Sequence, residues 1–197
     1  GYENSDPVDR ARYFLGKLLC VRSARGIISG WITETEAYGG VEDKACHGFA
    51  GRRTPRTENL FAKGGIAYVY LCYGIHPLLN FVTGESDQPK AVLIRGVKIA
   101  EGREIVSKNR KGIREKNWSD GPGKLSQSMG IQMKDNGISL LGNRIWVEDH
   151  GIAVPLREIE VTPRIGVDYA GEWALKKWRF LWKPQNACME MAISRRS

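Results

Sequence analysis

GIISGWITETEAYGG, residues 26–40, is the stretch on which the fold turns. An extended chain over Trp31–Tyr38 places Ile32, Glu34, Glu36 and Tyr38 on one face and Trp31, Thr33, Thr35 and Ala37 on the other. Two carboxylates then share a strand face, which ordinary strand packing does not require, and a bulge at Gly39-Gly40 could re-aim either. Upstream, LLCVR (18–22) is a second extended segment joined through Ser23-Ala24-Arg25-Gly26, so a hairpin is expected. Downstream, IAYVYLCYG (66–74), LLNFVT (78–83) and AVLIR (91–95) predict a run of antiparallel strands, and NRIWVED, REIEVT and KWRFLWK supply later ones. Asp6-Pro7 followed by Val8, Ala11, Phe14, Leu15 and Leu18 predicts a capped first helix over about 7–16, with further helical patches at 100–110 and 121–131. Helices mixed with mainly antiparallel strands define an α+β fold.

A chain of 197 residues, 42% hydrophobic, can bury one sizeable core, so a single domain over 1–197 is expected. Thirty Lys+Arg against 22 Asp+Glu, a formal charge of +8, favour a polyanionic partner such as nucleic acid, or an acidic membrane surface, with a basic surface kept for solubility as the alternative. No apolar run approaches a membrane span and no leader-like segment opens the chain, so a soluble protein with no membrane partner is expected. The first residue is Gly1 rather than Met, as in a processed or shortened chain. Cys20, Cys46, Cys72 and Cys188 form no Cys-x-x-Cys pair and read as buried free thiols in a reducing compartment. Cys46-His47 and Cys72 with His76 lack ligand spacing, so neither a metal nor a cofactor is expected.

Two constellations carry chemistry. The polar segment GGVEDKACHGFAGRRTPRTENLFAKGG (39–65) is too long for a plain connection and reads as functional. Its Arg52, Arg53, Arg56 and Lys63, with Thr54 and Thr57 between them, are donors of the kind that grip successive phosphates. YVYLCYGIHPLLN then sets Tyr68 and Tyr70 on one face and Tyr73 at the mouth of a Gly74–Pro77 turn, where a projecting ring could wedge between bases. Ordinary strand packing of tyrosine is the alternative.

TEAYGGVEDKACH (35–47), RRTPR (52–56), AYVYLCYGIH (67–76), Asn80, AVLIR (91–95), DGPGKL (120–125) and RIGVDYAGEW (164–173) together resemble the 3-methyladenine DNA glycosylase family of the alkyladenine type. The resemblance implies a monofunctional base-excision repair enzyme whose curved antiparallel sheet sends a β-hairpin into the minor groove. Its substrate would be double-stranded DNA carrying damaged purines: 3-methyladenine, 7-methylguanine, hypoxanthine or ethenoadenine. By the same resemblance Glu36 matches the water-activating base, Arg95 a side chain that positions the water and Val167 a carbonyl that does so. Tyr38, His47 and Tyr70 match the walls of a flipped-base pocket, with the His47 amide donating to the base edge, and Asn80 the residue that disfavours guanine. Tyr73 matches the intercalating wedge, while Arg52, Arg53, Thr54, Arg56 and Lys124 are expected on the DNA backbone. Glu34 is left a supporting role, paired with a basic residue.

GVKIAEG after Arg95 and the terminal KPQNACMEMAISRRS depart from the family pattern. The enzyme is expected to be a monomer, nucleoid-associated in a bacterial cytoplasm or nuclear in a eukaryote. Two other readings compete: a non-catalytic nucleic-acid-binding module resembling the C-terminal domain of methionyl-tRNA formyltransferase, and a bifunctional glycosylase using a lysine Schiff base.

Overall fold

A computed structural model describes residues 6–183. Its central element is β2 (Gly26–Gly39), which exchanges one partner for another along its length. β1 (Leu18–Ser23) pairs with residues 26–31 of β2 and β5 (Lys90–Glu101) with residues 29–39, while on the β1 side residues 34–36 pair instead with β8 (Arg179–Trp182). β3 (Ala67–Cys72) and β4 (His76–Val82) continue the sheet beyond β5, β6 (Ile145–Glu148) flanks β1, and β7 (Ile159–Thr162) flanks β8. All eight strands pair antiparallel in one sheet, and with α1 (Pro7–Phe14), α2 (Arg103–Asn109) and α3 (Pro122–Met129) the fold is α+β.

The first helix forms for the reasons legible in its sequence. Asp6 Oδ1 accepts the Val8 N–H at 2.7 Å, Pro7 occupies the first turn where no donor is needed, and Pro7, Ala11 and Phe14 form the buried face. It stops at Phe14, two residues before the expected end, because Leu15 is extended and Gly16, at φ 75°, turns its N–H onto the Ile32 carbonyl at 2.9 Å. Phe14 meets Phe81 edge to face at 5.1 Å, and Thr35 Oγ1 donates to the Ala11 carbonyl at 2.8 Å, so α1 is seated on both β4 and β2.

The irregularity expected at Gly39-Gly40 lies further upstream. Ile32 pairs with Val97 and Glu34 with Gly96, leaving Thr33 extra on β2; Thr35 then pairs with Ile94, leaving Arg95 extra on β5. The two insertions compensate, and they switch which side chains face the main core. The switch is clearest on β5, where Val92 and Ile94 enter the core on one side of the break and Val97 and Ile99 on the other; on β2, Ile28, Trp31 and Ile32 enter it before the break and Ala37 after it. Contrary to plain alternation, Glu34 and Glu36 therefore do not share a face with Ile32.

Three further boundaries differ from expectation. β5 does not end at Arg95 but runs to Glu101, and α2 begins only at Arg103. The β3–β4 turn is Tyr73-Gly74-Ile75 rather than Gly74–Pro77, since Cys72 already pairs with His76 and Leu71 with Pro77. Segment 39–65 is structured: short 3-10 turns at Phe49–Gly51 and Glu58–Phe61 fold it over a second apolar cluster of Cys46, Leu60, Phe61, Tyr68, Val82 and Ala91. Gly48 permits that close approach, because a Cβ there would lie 2.5 Å from the Pro89 ring. Cys20 and Cys46 are buried free thiols as expected, Cys72 is half-buried, and Cys188 lies outside the described residues with the rest of the terminal segment. Among the described residues no helix is long and apolar enough to cross a membrane.

Phe14→Ala empties the contact between α1 and β4, and is expected to lower the unfolding free energy by about 3–5 kcal/mol, read from urea denaturation midpoints.

Candidate active site

A cavity of about 490 Å³ opens between segment 39–65, the β3–β4 hairpin and residues 165–169. Tyr38, His47, Arg56, Tyr70, Tyr73, Asn80, Arg95 and Val167 all line it, so the fold gathers most of the expected site residues from five separate stretches of chain. Its walls are aromatic. The His47 ring meets Tyr70 at 4.4 Å between centroids, and Tyr68 lies 5.6 Å from Tyr70. Such a chamber, apolar with a few fixed polar groups, suits a flat heterocycle.

Glu36 stands behind this wall, with no solvent exposure. Its Oε1 accepts the Ile165 N–H at 2.8 Å and lies 3.4 Å from Arg95 Nη1, while Oε2 accepts the Tyr38 hydroxyl at 2.9 Å. Burial raises its pKa above the ordinary 4.5, and the Arg95 charge and the two hydrogen bonds only partly oppose the rise. Arg95 reaches this position because it is the extra residue of β5. Glu34 holds it there: a single oxygen, Oε1, accepts Arg95 Nε at 2.6 Å and Arg179 Nε at 2.7 Å. The expected basic partner of Glu34 is thus a pair of arginines.

The segment that follows β7 completes the shell. Arg164 and Asp43 form an ion pair with neither side chain exposed, Nη1 to Oδ2 at 2.5 Å and Nη2 to Oδ1 at 2.9 Å. Val167 is buried against Ala45 and Ala170, and its carbonyl accepts the Ala170 N–H at 2.9 Å. Ile165, Arg164 and Asp43 received no role from the sequence. Two motifs do contain them, GGVED and RIGVDYAGEW, but 121 residues separate the two members of the pair.

His47 Nδ1 lies 2.9 Å from the Tyr68 hydroxyl. Burial, with the Arg56 and Arg52 charges adding to it, pulls its pKa from 6.5 to about 4, so the ring is neutral near pH 7. The His47 main-chain N–H makes no hydrogen bond to another described residue. Asn80 is fixed by its amide nitrogen, 3.1 Å from the Tyr68 carbonyl and 3.4 Å from that of Leu78. Tyr73 is 90% exposed at the hairpin tip, in the left-handed region at φ 50°.

Of the residues expected on the DNA backbone, most have partners within the protein. Arg56 donates to the Leu71 carbonyl at 2.9 Å and lies over the Tyr70 ring, so it belongs to the cavity. Arg53 is paired with Glu58 and Asp87, Thr54 is closed into a turn with Thr57, and Lys124 is paired with Asp120. Arg52 is exposed on the same loop. Among the described residues no three His, Cys, Asp or Glu side chains are grouped as a metal ion would need.

A desolvated carboxylate thus stands behind an aromatic chamber, with a tyrosine-tipped hairpin of the same sheet beside it. The family model for methylpurine-DNA glycosylase matches residues 2–186, and the chain belongs to that family, a group of DNA-repair hydrolases. Similar proteins carry the provisional name 3-methyladenine DNA glycosylase. One from Clostridium perfringens (strain 13 / Type A) is 42% identical, covering 91% of this chain and 92% of its own. Another from Bacillus subtilis (strain 168) is 40% identical over 88% and 86%, and one from Chlamydia pneumoniae 39% identical over 93% of each.

His47 supplies a pH test. A folded pKa depressed to about 4 from 6.5 contributes stability that is present above 6.5 and lost as pH falls through the folded value. The unfolding free energy of the wild type minus that of His47→Gln is therefore expected to rise with pH between those two values. A difference that stays flat in urea melts across that interval would contradict a neutral buried ring.

Proposed function

We propose that the protein hydrolyses the N-glycosidic bond of alkylated or deaminated purines in duplex DNA, working as a monomer and leaving an abasic site. The observation that carries this reading is the closed hydrogen-bonded set around Glu36 directly behind the cavity. A purine turned out of the helix would stack on Tyr70 and the His47 ring, with the free His47 N–H available to its edge. Tyr73, projecting from the adjacent hairpin, would fill the space left in the stack. Extrusion costs a few kcal/mol, least for damaged or mispaired bases, and aromatic stacking recovers part of it.

Glu36 then serves as the base. As the glycosidic bond lengthens, positive charge grows on the sugar, where a buried carboxylate is worth more than one in water. A water entering beside Arg95 and the Val167 carbonyl can give its proton to Oε2, which retains a lone pair beyond the one taken by Tyr38. A cationic base such as 3-methyladenine or 7-methylguanine leaves without further protonation; hypoxanthine and ethenoadenine are neutral and slower leaving groups. Among the described residues no lysine lines the cavity, which favours direct hydrolysis over a Schiff-base route. The bacterial origin of the relatives favours action on chromosomal DNA in the cytoplasm.

The test is release of free base from single-lesion duplexes, with strand cleavage measured separately. Glu36→Gln is expected to lower single-turnover release by about three orders of magnitude or more while sparing damaged-duplex binding. Release at wild-type rate in that variant would end the assignment. Glu34→Gln keeps a carbonyl acceptor for the two arginines and is expected to slow release without stopping it. Because Glu36 has a raised pKa, wild-type activity is expected to fall on the acid side at a pH above 4.5. A wild type that binds every lesion duplex and releases nothing would favour a binding module instead.

A further inference from the structure

In a basic DNA-repair protein an arginine beside the active site invites assignment to a phosphate. The surroundings of Arg164 point elsewhere. Both terminal nitrogens are consumed inside the protein: Nη1 donates to Asp43 and to the Ala37 carbonyl at 2.9 Å, Nη2 to Asp43 and to the Trp173 carbonyl at 3.0 Å. Its guanidinium also lies 4.9 Å from the Tyr38 ring centroid and 5.0 Å from that of Trp178. Asp43 is equally committed, accepting the N–H groups of Gly39 at 2.9 Å and Ala45 at 3.0 Å besides the guanidinium.

Both hydrogen-bond donors to Glu36 are attached to this pair. The Ile165 N–H follows Arg164 directly in the chain, and the Ile165 side chain is 52% exposed, so packing of that side chain does not hold the amide in place. The Tyr38 hydroxyl is carried by the ring that the guanidinium covers, on the strand end whose Ala37 carbonyl it grips. We propose that Arg164, held by Asp43, is a positioning residue for Glu36: it fixes the Ile165 N–H on Oε1 and the Tyr38 hydroxyl on Oε2. This role rests on Glu36 being the base in the reaction proposed above.

The consequence is a change in pH response and not merely in stability. The charged and titratable groups that face Glu36 are Glu34 and Tyr38 on its own strand, Arg95 on β5, Tyr70 on β3 and Arg164 on the loop, with Arg179 on β8 acting through Glu34. Both hydrogen bonds favour the carboxylate over the acid, so loosening them leaves burial less opposed. The acid limb of the rate profile then moves to higher pH.

Arg164→Lys keeps the charge but not the fork, and Asp43→Asn keeps the shape but not the charge. Each variant and the wild type would be assayed by single-turnover release from a 7-methylguanine duplex, whose departing base is already cationic, so that the acid limb reports the base rather than a proton donor. Expected are release about tenfold slower or worse at pH 7 in both variants, an acid limb displaced upward in Arg164→Lys, whose net charge is unchanged, and binding to a duplex bearing a tetrahydrofuran abasic analogue changed by no more than about twofold. Unchanged release in both variants, or slower release of Arg164→Lys with an unmoved limb, would overturn the proposal. Amide hydrogen exchange of Ile165 in the wild type provides a measurement that needs no variant. Protection equal to that of main-core amides supports the clamp, and exchange at loop rates refutes it even if neither variant folds. A wild type that releases no base from any lesion would instead defeat the assigned reaction, and the Ile165 measurement would still judge the clamp.

Discussion

Withdrawing the Glu36 carboxyl group from water is the constraint around which the rest of the site is arranged. The effective penalty for a buried ion is several kcal/mol, and the penalty is tolerable only when charge and hydrogen bonds return it. Here the return comes from three directions, the Ile165 N–H, the Tyr38 hydroxyl and Arg95, and each has a support of its own. Arg95 is held by Glu34, which is shared with Arg179, which donates in turn to Thr162 Oγ1 on β7. Tyr38 and Ile165 are held by the Asp43–Arg164 pair, in which loss of either member would strand a buried charge at a cost of about 3–5 kcal/mol. The site is thus a closed set of mutual obligations running from β2 through β5, β8 and β7 to segment 39–48.

Much of the fold is legible in the sequence, and the features that are not share a cause. Strands, hairpin order and the capped helix at Pro7 follow from local patterns, since each depends on residues a few positions apart. The cavity walls also came through, because resemblance in several short motifs ties Tyr38, His47, Tyr70 and Asn80 to one place. What stayed hidden depends on partners distant in sequence. A bulge is a property of two strands, so Thr33 and Arg95 gave no sign individually, and the glycine pair at 39–40 drew the expectation to the wrong position. Pro77 misled similarly: it reads as a turn residue, yet it sits in β4, in the section paired with β3 alone, where a missing donor is harmless. Asp43 and Arg164 have no periodic relation at all.

Net charge was a coarser guide than it looked. The formal +8 favours a polyanionic partner, yet several of the arginines that make it up are paired within the protein. Arg95 and Arg164 are buried beside the cavity, Arg144 is held by Asp135 and Arg53 by two carboxylates. Of the loop arginines, Arg52 is exposed and Arg56 stands at the cavity wall. Attraction to DNA can still be long-range and diffuse.

The paired irregularities of β2 and β5 bear on how such a sequence can change over time. Because one extra residue on each strand cancels the other, the register is the same on both sides of the break. Deleting Thr33 alone or Arg95 alone would slide one strand against its neighbour by a residue and exchange the side chains facing core with those facing cavity. Substitution at either position leaves the frame intact, but a change of length does not. The two positions are therefore a matched pair with respect to insertion and deletion: in descendants of this chain they are gained or lost together, or the strand that carries Glu36 is no longer the same strand.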